Sequence, residues 1–198
     1  MIEEDGSPRI VVLASGSGTL LQALLADDLG ALVVAVGSDV PNAPALARAD
    51  ARGVSTFTCD PRSFTDRAAW NTALLAHLDM YHPDLIVSAG FMRIIGAPVL
   101  HAYPGRIINT HPAYLPEFPG AHAVRDALAA GVTQTGCTVH VVDEGVDTGP
   151  VLVQERVPIM AGDDESALHE RIKVVERRLL IATVAELVSA MRNNLPRD

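Results

Sequence analysis

The sequence predicts an α/β fold built on a doubly wound, mostly parallel sheet with antiparallel strands toward its C-terminal part. Three observations carry that reading. Up to residue 111, short unbroken apolar runs alternate with stretches of helical spacing, the signature of βαβ units. A GxG loop stands between the first apolar run and the first helix. Beyond residue 120 two strand-like runs are separated only by "DEGVDT", too short for a parallel crossover, so that pair is antiparallel.

The elements follow in order. "RIVVLAS" (9–15) is β-branched and apolar throughout, as a strand buried on both faces should be. In "GSGTLLQALLADD", Thr19 and Gln22 fit a capping box, and Leu20, Leu21, Leu24 and Leu25 give the helical face. "ALVVAVGS" (31–38) is the next strand, "APALARADARG" a helix ended by Gly53, and "VSTFTC" a third strand. "FTDRAAWNTALLAHLDMY" is a helix stopped by His82-Pro83. "DLIVSAG" (84–90) is another buried strand, followed by a short helix near 97–102 and the strand "RIINTH". "AHAVRDALAAG" is a helix, "TGCTVHVVD" and "GPVLVQERVPI" are the antiparallel strands, and 164–191 is the last helix. Its core-facing residues are Leu168, Ile172, Val175, Leu179 and Leu187. No repeat or linker interrupts this pattern, which makes 1–198 one mixed α/β domain.

At 198 residues, folding hides roughly 70% of the chain's surface, enough for a substantial core. A formal charge of −9 argues against a broad nucleic-acid surface, which needs clustered Lys and Arg. It leaves room for one local phosphate pocket. Cys59 and Cys137 form no CxxC pair, so they suggest neither a disulfide framework nor a zinc motif. The polar start "MIEEDGSPR" lacks an apolar signal region, and no apolar run approaches the ~18 residues of a membrane span. A soluble cytoplasmic protein with no membrane partner is expected.

The loop "SGSGT" (15–19) can turn sharply and leave the first helical N–H groups pointing at an anion. A plain capped glycine turn would also explain it. The third glycine of a dinucleotide fingerprint is missing, since Leu21 stands there, although Asp39 sits near the place of a ribose-binding acid. A monophosphate therefore fits better than a dinucleotide.

The segment "RIINTHPAYLPEFPGAH" (106–122) carries the chemistry. Strand alternation puts Ile107, Asn109 and His111 on one face and Thr110 on the other. Asn109 is suited to donating to a developing oxyanion, and His111 to moving a proton near neutral pH. Pro112 biases His111 toward an extended backbone. The loop "DEGVDTGP" offers Asp143, Glu144 and Asp147 as carboxylates to orient that histidine, and spacing does not choose among them. His111, His122 and His140 stand 11 and 18 residues apart and match no compact metal motif, so no metal is expected. Fourteen of the fifteen basic residues are arginine. The single lysine, Lys173, stands three residues before Glu176, where a surface ion pair is the simplest reading.

Taken together, "VVLASGSGTLLQALL", "DLIVSAGFMRII", "INTHPAYLPEFPGAHAV", "GCTVHVVDEGVDTGPVL" and "RIKVVERRLL" resemble the glycinamide ribonucleotide formyltransferases, within the formyltetrahydrofolate-using superfamily. The resemblance runs from about 8 to 190. It implies a Rossmann-like, seven-stranded mixed sheet, with about 8–105 as a nucleotide-binding half and 106–191 as a catalytic and folate-binding half. It also implies formyl transfer from 10-formyltetrahydrofolate, as co-substrate, to the amine of glycinamide ribonucleotide.

By resemblance Asn109, His111 and Asp147 are the catalytic trio, and Gly18, Thr19 and Leu20 lie at the ribonucleotide phosphate. Leu20 departs from the asparagine expected there. Lys173 and Glu176 match positions near the ribose, while Arg67, Met92, Arg93, Ile94 and Ile95, with Asn109, match the folate region. A homodimer is left open. A formyltetrahydrofolate hydrolase or methionyl-tRNA formyltransferase is the nearest alternative. The tRNA enzyme should add a basic RNA-binding domain, and the hydrolase an N-terminal regulatory one. A non-catalytic nucleotide-binding module is the alternative of another class.

Overall fold

The computed structural model describes residues 7–194. Its seven strands are β1 (Arg9–Leu13), β2 (Leu32–Ser38), β3 (Ser55–Thr58), β4 (Leu85–Ser88), β5 (Ile107–His111), β6 (Gln134–Val141) and β7 (Val151–Pro158). The helices are α1 (Thr19–Ala26), α2 (Pro44–Asp50), α3 (Arg67–Asp79), α4 (Ala97–Ala102), α5 (Ala123–Ala129) and α6 (Glu165–Asn194). The strands order as β3-β2-β1-β4-β5-β6-β7 in one sheet. The first five are mutually parallel, and β5–β6 and β6–β7 are antiparallel, so the mixed sheet matches the expected class.

Alternation divides the core into two layers. Ile10 and Val12 of β1 face α1, α2, α5 and α6, joining Leu21, Leu24, Ile172 and Val184. Val11 and Leu13 face α3 and α4, joining Trp70, Leu74, Val99 and Ile107. All of these side chains are almost fully buried, as central strands covered on both faces require. The chain winds outward from β1 to β3, then returns across β1 to start β4. The strand order thus reverses between β1 and β4, and the loops leaving their carboxyl ends open a crevice there.

Several boundaries differ from the sequence reading for local reasons. The Thr19–Gln22 capping box is not made: Gly18, at φ 70° and ψ 32°, is the N-cap, without any side-chain capping bond, and Thr19 is the first helical residue. Gln22 instead accepts a bond from Arg48 Nη1 (3.2 Å). A Cβ on Gly18 would lie 2.8 Å from Ala45 Cα and Cβ, so only glycine lets this turn rest on α2. Helix α3 starts at Arg67 rather than Phe64, because the Asp66 carboxylate caps it by accepting from Ala69 N (2.8 Å). Helix α2 stops at Asp50, three residues before Gly53.

Candidate active site

The crevice between β1 and β4 is walled by the glycine loop (15–19) and by the loop Ala89–Gly96. The two are tied at their base: Ala89 N donates to Leu13 O (2.8 Å), and Ser15 N donates to Gly90 O (3.1 Å). Asn71 fixes the far end of the second loop, accepting from Gly96 N (2.7 Å) while donating to Arg67 O (2.8 Å). Arg67 Nη2 donates to Ile94 O (2.9 Å), drawing Arg67 to the same loop.

Of the four loop residues singled out from sequence, Met92 and Ile94 are exposed, at 72% and 48%, and free to meet a ligand. Ile95 is buried in the α3–α4 layer with Phe91, which stacks on Trp70, so the apolar wall consists of Met92 and Ile94. Arg93 Nε makes an ion pair with buried Asp39 (2.7 Å). That occupies the carboxylate that a dinucleotide ribose would use.

At the glycine loop, Leu20 is only 7% exposed and belongs to the α1–α6 core. Its side chain is no ligand, and the position can offer only its backbone N–H. Arg48 braces the loop from below, donating from Nε to Ser17 O (2.7 Å).

On β5, Asn109 and His111 do share one face, and Thr110 the other. Asn109 Oδ1 accepts from Ser88 Oγ (2.7 Å), which turns its Nδ2 toward His140 Nε2 at 3.2 Å. His140 Nδ1 donates to its neighbour's carbonyl, Val141 O (3.0 Å), while Nε2 faces both Asn109 Nδ2 (3.2 Å) and Asp147 Oδ1 (3.6 Å): the neutral ring receives the Asn109 amide there, and the protonated ring donates to Asp147. One amide hydrogen of Asn109 is thereby fixed, and the second is left for an incoming oxygen.

His111 is buried, with Nε2 donating to Phe118 O (2.8 Å) and Nδ1 lying 3.3 Å from Asp147 Oδ2. Both nitrogens face acceptors, and only the imidazolium can donate to both. Asp147 is therefore the carboxylate that geometry selects from the acidic loop. It also accepts from Gly120 N (2.7 Å), and its Oδ1 lies 3.6 Å from His140 Nε2. Burial, the largest single influence, pushes its carboxyl up. The His140 and Gly120 contacts and the charges of His111 and His140 outweigh it and hold the carboxyl below the usual carboxylate range.

Asp147 has φ 55°, a left-handed conformation that Asp tolerates better than most residues, and Phe118 has φ 51°. Such strain, about 1–3 kcal/mol each, concentrates where function constrains the chain. The other two acids do different work. Asp143 accepts from Gly145 N and Thr148 Oγ1, closing the loop on itself, and Glu144 pairs with His101 at 3.3 Å on the surface.

Sequence reasoning did not single out Ser88 or Asn71, and it weighed Asp39 only as a ribose-binding acid and His140 only as a metal ligand. His140 was within reach: in the β5–β6 pairing it stands directly opposite Asn109. His122 sits exposed at the start of α5. Among the described residues, no group of three or more His, Cys, Asp or Glu side chains could hold a metal.

The expected Lys173–Glu176 surface pair is not formed. Lys173 Nζ binds Glu170 Oε1 (2.6 Å), while Glu176 is 7% exposed and accepts from Thr110 Oγ1 (2.5 Å) on the far face of β5.

The family model described as formyl transferase matches residues 8–184. The phosphoribosylglycinamide formyltransferase of Mycobacterium tuberculosis H37Rv is 54% identical over 184 residues, covering 91% of this chain and 85% of that protein. The Bacillus subtilis protein of the same name is 37% identical, covering 91% and 94% respectively. Among solved structures, glycinamide ribonucleotide transformylase 1 from Symbiobacterium toebii superposes with a TM-score of 0.91 at 41% identity, covering 94% of this chain and 90% of its own.

Proposed function

The chain belongs to the formyl transferase family, and on that premise we propose that it moves the formyl group of 10-formyltetrahydrofolate to the amine of glycinamide ribonucleotide, a step of purine synthesis. The observation that carries the reading is the meeting of Asn109 and His111, on one face at the end of β5, with Asp147 from the loop between β6 and β7, beside two loops suited to different ligands. The whole described chain acts as one domain. Residues 8–105 supply the nucleotide loop, and 106–191 complete the catalytic centre, with Lys173 and Glu176 of α6 reaching the ribose.

The ribonucleotide phosphate sits on the N–H groups of Gly18, Thr19 and Leu20 at the start of α1, where unpaired donors and the helix dipole favour an anion. The folate lies along Met92, Arg93 and Ile94, with Arg67 beside it. The amine attacks the formyl carbon, forming a C–N bond and a tetrahedral oxyanion. The free Nδ2–H of Asn109 donates to that oxygen. The imidazolium of His111 gives it a second donor, exchanging its Phe118 carbonyl partner for the substrate.

The bond from carbon to folate N10 then breaks. The amine has lost one proton, and N10 has gained one. His111 is the group placed to carry it, with Asp147 stabilising its charge throughout. This route uses no enzyme nucleophile and assigns no role to a metal, so turnover is expected to survive chelation by EDTA. Cys59 and Cys137 are both buried free thiols, which suits a reducing cytoplasm.

The test is spectrophotometric release of deformylated folate, with and without glycinamide ribonucleotide. Release that requires the ribonucleotide is expected. Release without it would replace the transferase with a hydrolase on the same residues.

A further inference from the structure

Asp39 belongs to neither substrate's binding set, yet it lies where the two proposed sites meet. It is 3% exposed and sits just past the end of β2. Its Oδ1 accepts from Ser15 Oγ, in the residue that opens the glycine loop. Its Oδ2 holds Arg93 Nε at 2.7 Å, in the loop assigned to the folate. The Ser15 hydroxyl also accepts from Met92 N (2.8 Å), so one serine and one carboxylate bridge both loops. The pair joins residues 54 positions apart in sequence. A carboxylate this buried needs its partners, because removing either leaves charge without compensation.

We propose that Asp39 is a positioning residue that couples the two substrates, making ribonucleotide binding at the glycine loop set the folate loop. The inference rests on the assignment of these two loops to the two ligands. Phosphate on the N–H groups of residues 18–20 fixes the start of α1, and with it Ser15, three residues upstream. Ser15 then holds Met92 N, and Asp39 anchors the Arg93 guanidinium through Nε. With Asp39→Asn, the amide can still accept from Ser15 through its oxygen but cannot pair with Arg93. The Ser15→Ala change keeps the Asp39–Arg93 pair and cuts the link to the glycine loop. Either substitution cuts a side-chain link between the loops, leaving the backbone ties at their base in place and the catalytic trio untouched.

Calorimetric titration tests this with tetrahydrofolate, which carries no formyl group and cannot react, in the absence and presence of saturating glycinamide ribonucleotide. In the unsubstituted protein the ribonucleotide should tighten tetrahydrofolate binding by about 5- to 150-fold, the usual range for coupled sites, and the reverse titration should give the same factor. In Asp39→Asn and Ser15→Ala the factor should fall to within about twofold of unity, while ribonucleotide alone binds as before. In turnover, the KM for the folate should rise while kcat at saturation changes little. A merely structural role would lower thermal stability and both single-ligand affinities together.

Coupling unchanged in Ser15→Ala, which leaves the buried ion pair intact, would overturn the inference even if Asp39→Asn fails to fold. So would an unsubstituted protein that binds each ligand with no coupling. Failure of the unsubstituted protein to bind the ribonucleotide at all would instead bring down the functional assignment beneath it.

Discussion

Replacing Glu176 by Gln should stabilise the protein increasingly as pH rises through the raised folded value of the carboxyl, and weaken the proposed ribonucleotide binding. Glu176 is a carboxylate buried between α6 and β5, and its hydrogen-bond donor is one hydroxyl, Thr110 Oγ1 at 2.5 Å. Burial raises its carboxyl above the ordinary range, and the Thr110 bond with the charges of Lys173 and Arg177 offsets this only in part. A buried polar group lacking full compensation costs about 1–3 kcal/mol. Glutamine keeps the Thr110 bond but brings an amide that needs its own acceptor, so a net gain of about 1 kcal/mol is expected, or about 2–4 °C in Tm for a chain of this size.

The sign follows from the raised value. Below about pH 4 the carboxyl is protonated in both folded and unfolded chains, and the two proteins should be equally stable relative to that baseline. As pH rises from the unfolded value through the raised folded one, the unfolded chain ionises first. The unsubstituted protein then loses stability relative to Glu176→Gln, and the gap levels off above the folded value. Urea unfolding from pH 4 to 8 measures it. A gap that is flat across this range, or that narrows as pH rises, would refute the claim that burial dominates at Glu176. On the proposed assignment of Glu176 to the ribose, the same change removes a charged acceptor, so ribonucleotide affinity should fall by about tenfold, equivalent to about 1.4 kcal/mol.

Other outcomes follow from the geometry. Asn109→Ala and His111→Ala should each lower kcat by about 10²–10³ with folate KM little changed, the usual effect of losing an oxyanion donor, and steady-state kinetics will show it. Asp147→Asn keeps the shape and removes the charge beside His111, so the acidic limb of the pH–rate profile should move; a superimposable profile would count against the pairing. In the same variant, the stability that the lowered Asp147 carboxyl contributes above about pH 4, and loses as pH falls through its folded value, should disappear. Gly18→Ala combines a left-handed backbone, unfavourable by about 1–2 kcal/mol, with overpacking against Ala45 of about 1–3 kcal/mol. Its Tm should drop and ribonucleotide KM rise, with folate KM less affected.

What was legible in the sequence was what alternation and spacing encode. All seven strands and six helices were anticipated, because β1, β2 and β4 are short apolar runs and the remaining elements are set off by turn residues or by an apolar helical face. The division of Asn109 and His111 from Thr110 followed from strand periodicity alone. Contacts across the fold were not legible. Nothing in the spacing of Asp39 and Arg93, or of Asn71 and Gly96, says that they meet, since the β-strand order that joins them is a property of the whole sheet. Spacing left the choice of Asp147 over Asp143 and Glu144 open, and only the family resemblance made it, because it depends on a left-handed turn at Asp147 that aims one carboxylate inward. Leu20 shows both readings at once: spacing placed it on the apolar face of α1 and resemblance placed it in a binding motif, and its burial in the core favours the first.

Trp70 is the chain's one tryptophan, and its position makes it an observer of the folate loop. It is 3% exposed, its Nε1 donates to Cys59 O (2.8 Å), and its ring lies 6.4 Å from that of Phe91, the residue from which the loop departs. Emission from this indole arises from a single rigid environment, with no second tryptophan to dilute it. Any shift of residues 91–95 that drags Phe91 alters the chromophore's immediate surroundings. The molecule therefore carries its own optical gauge of any change in this loop, readable in stopped flow on the unlabelled protein.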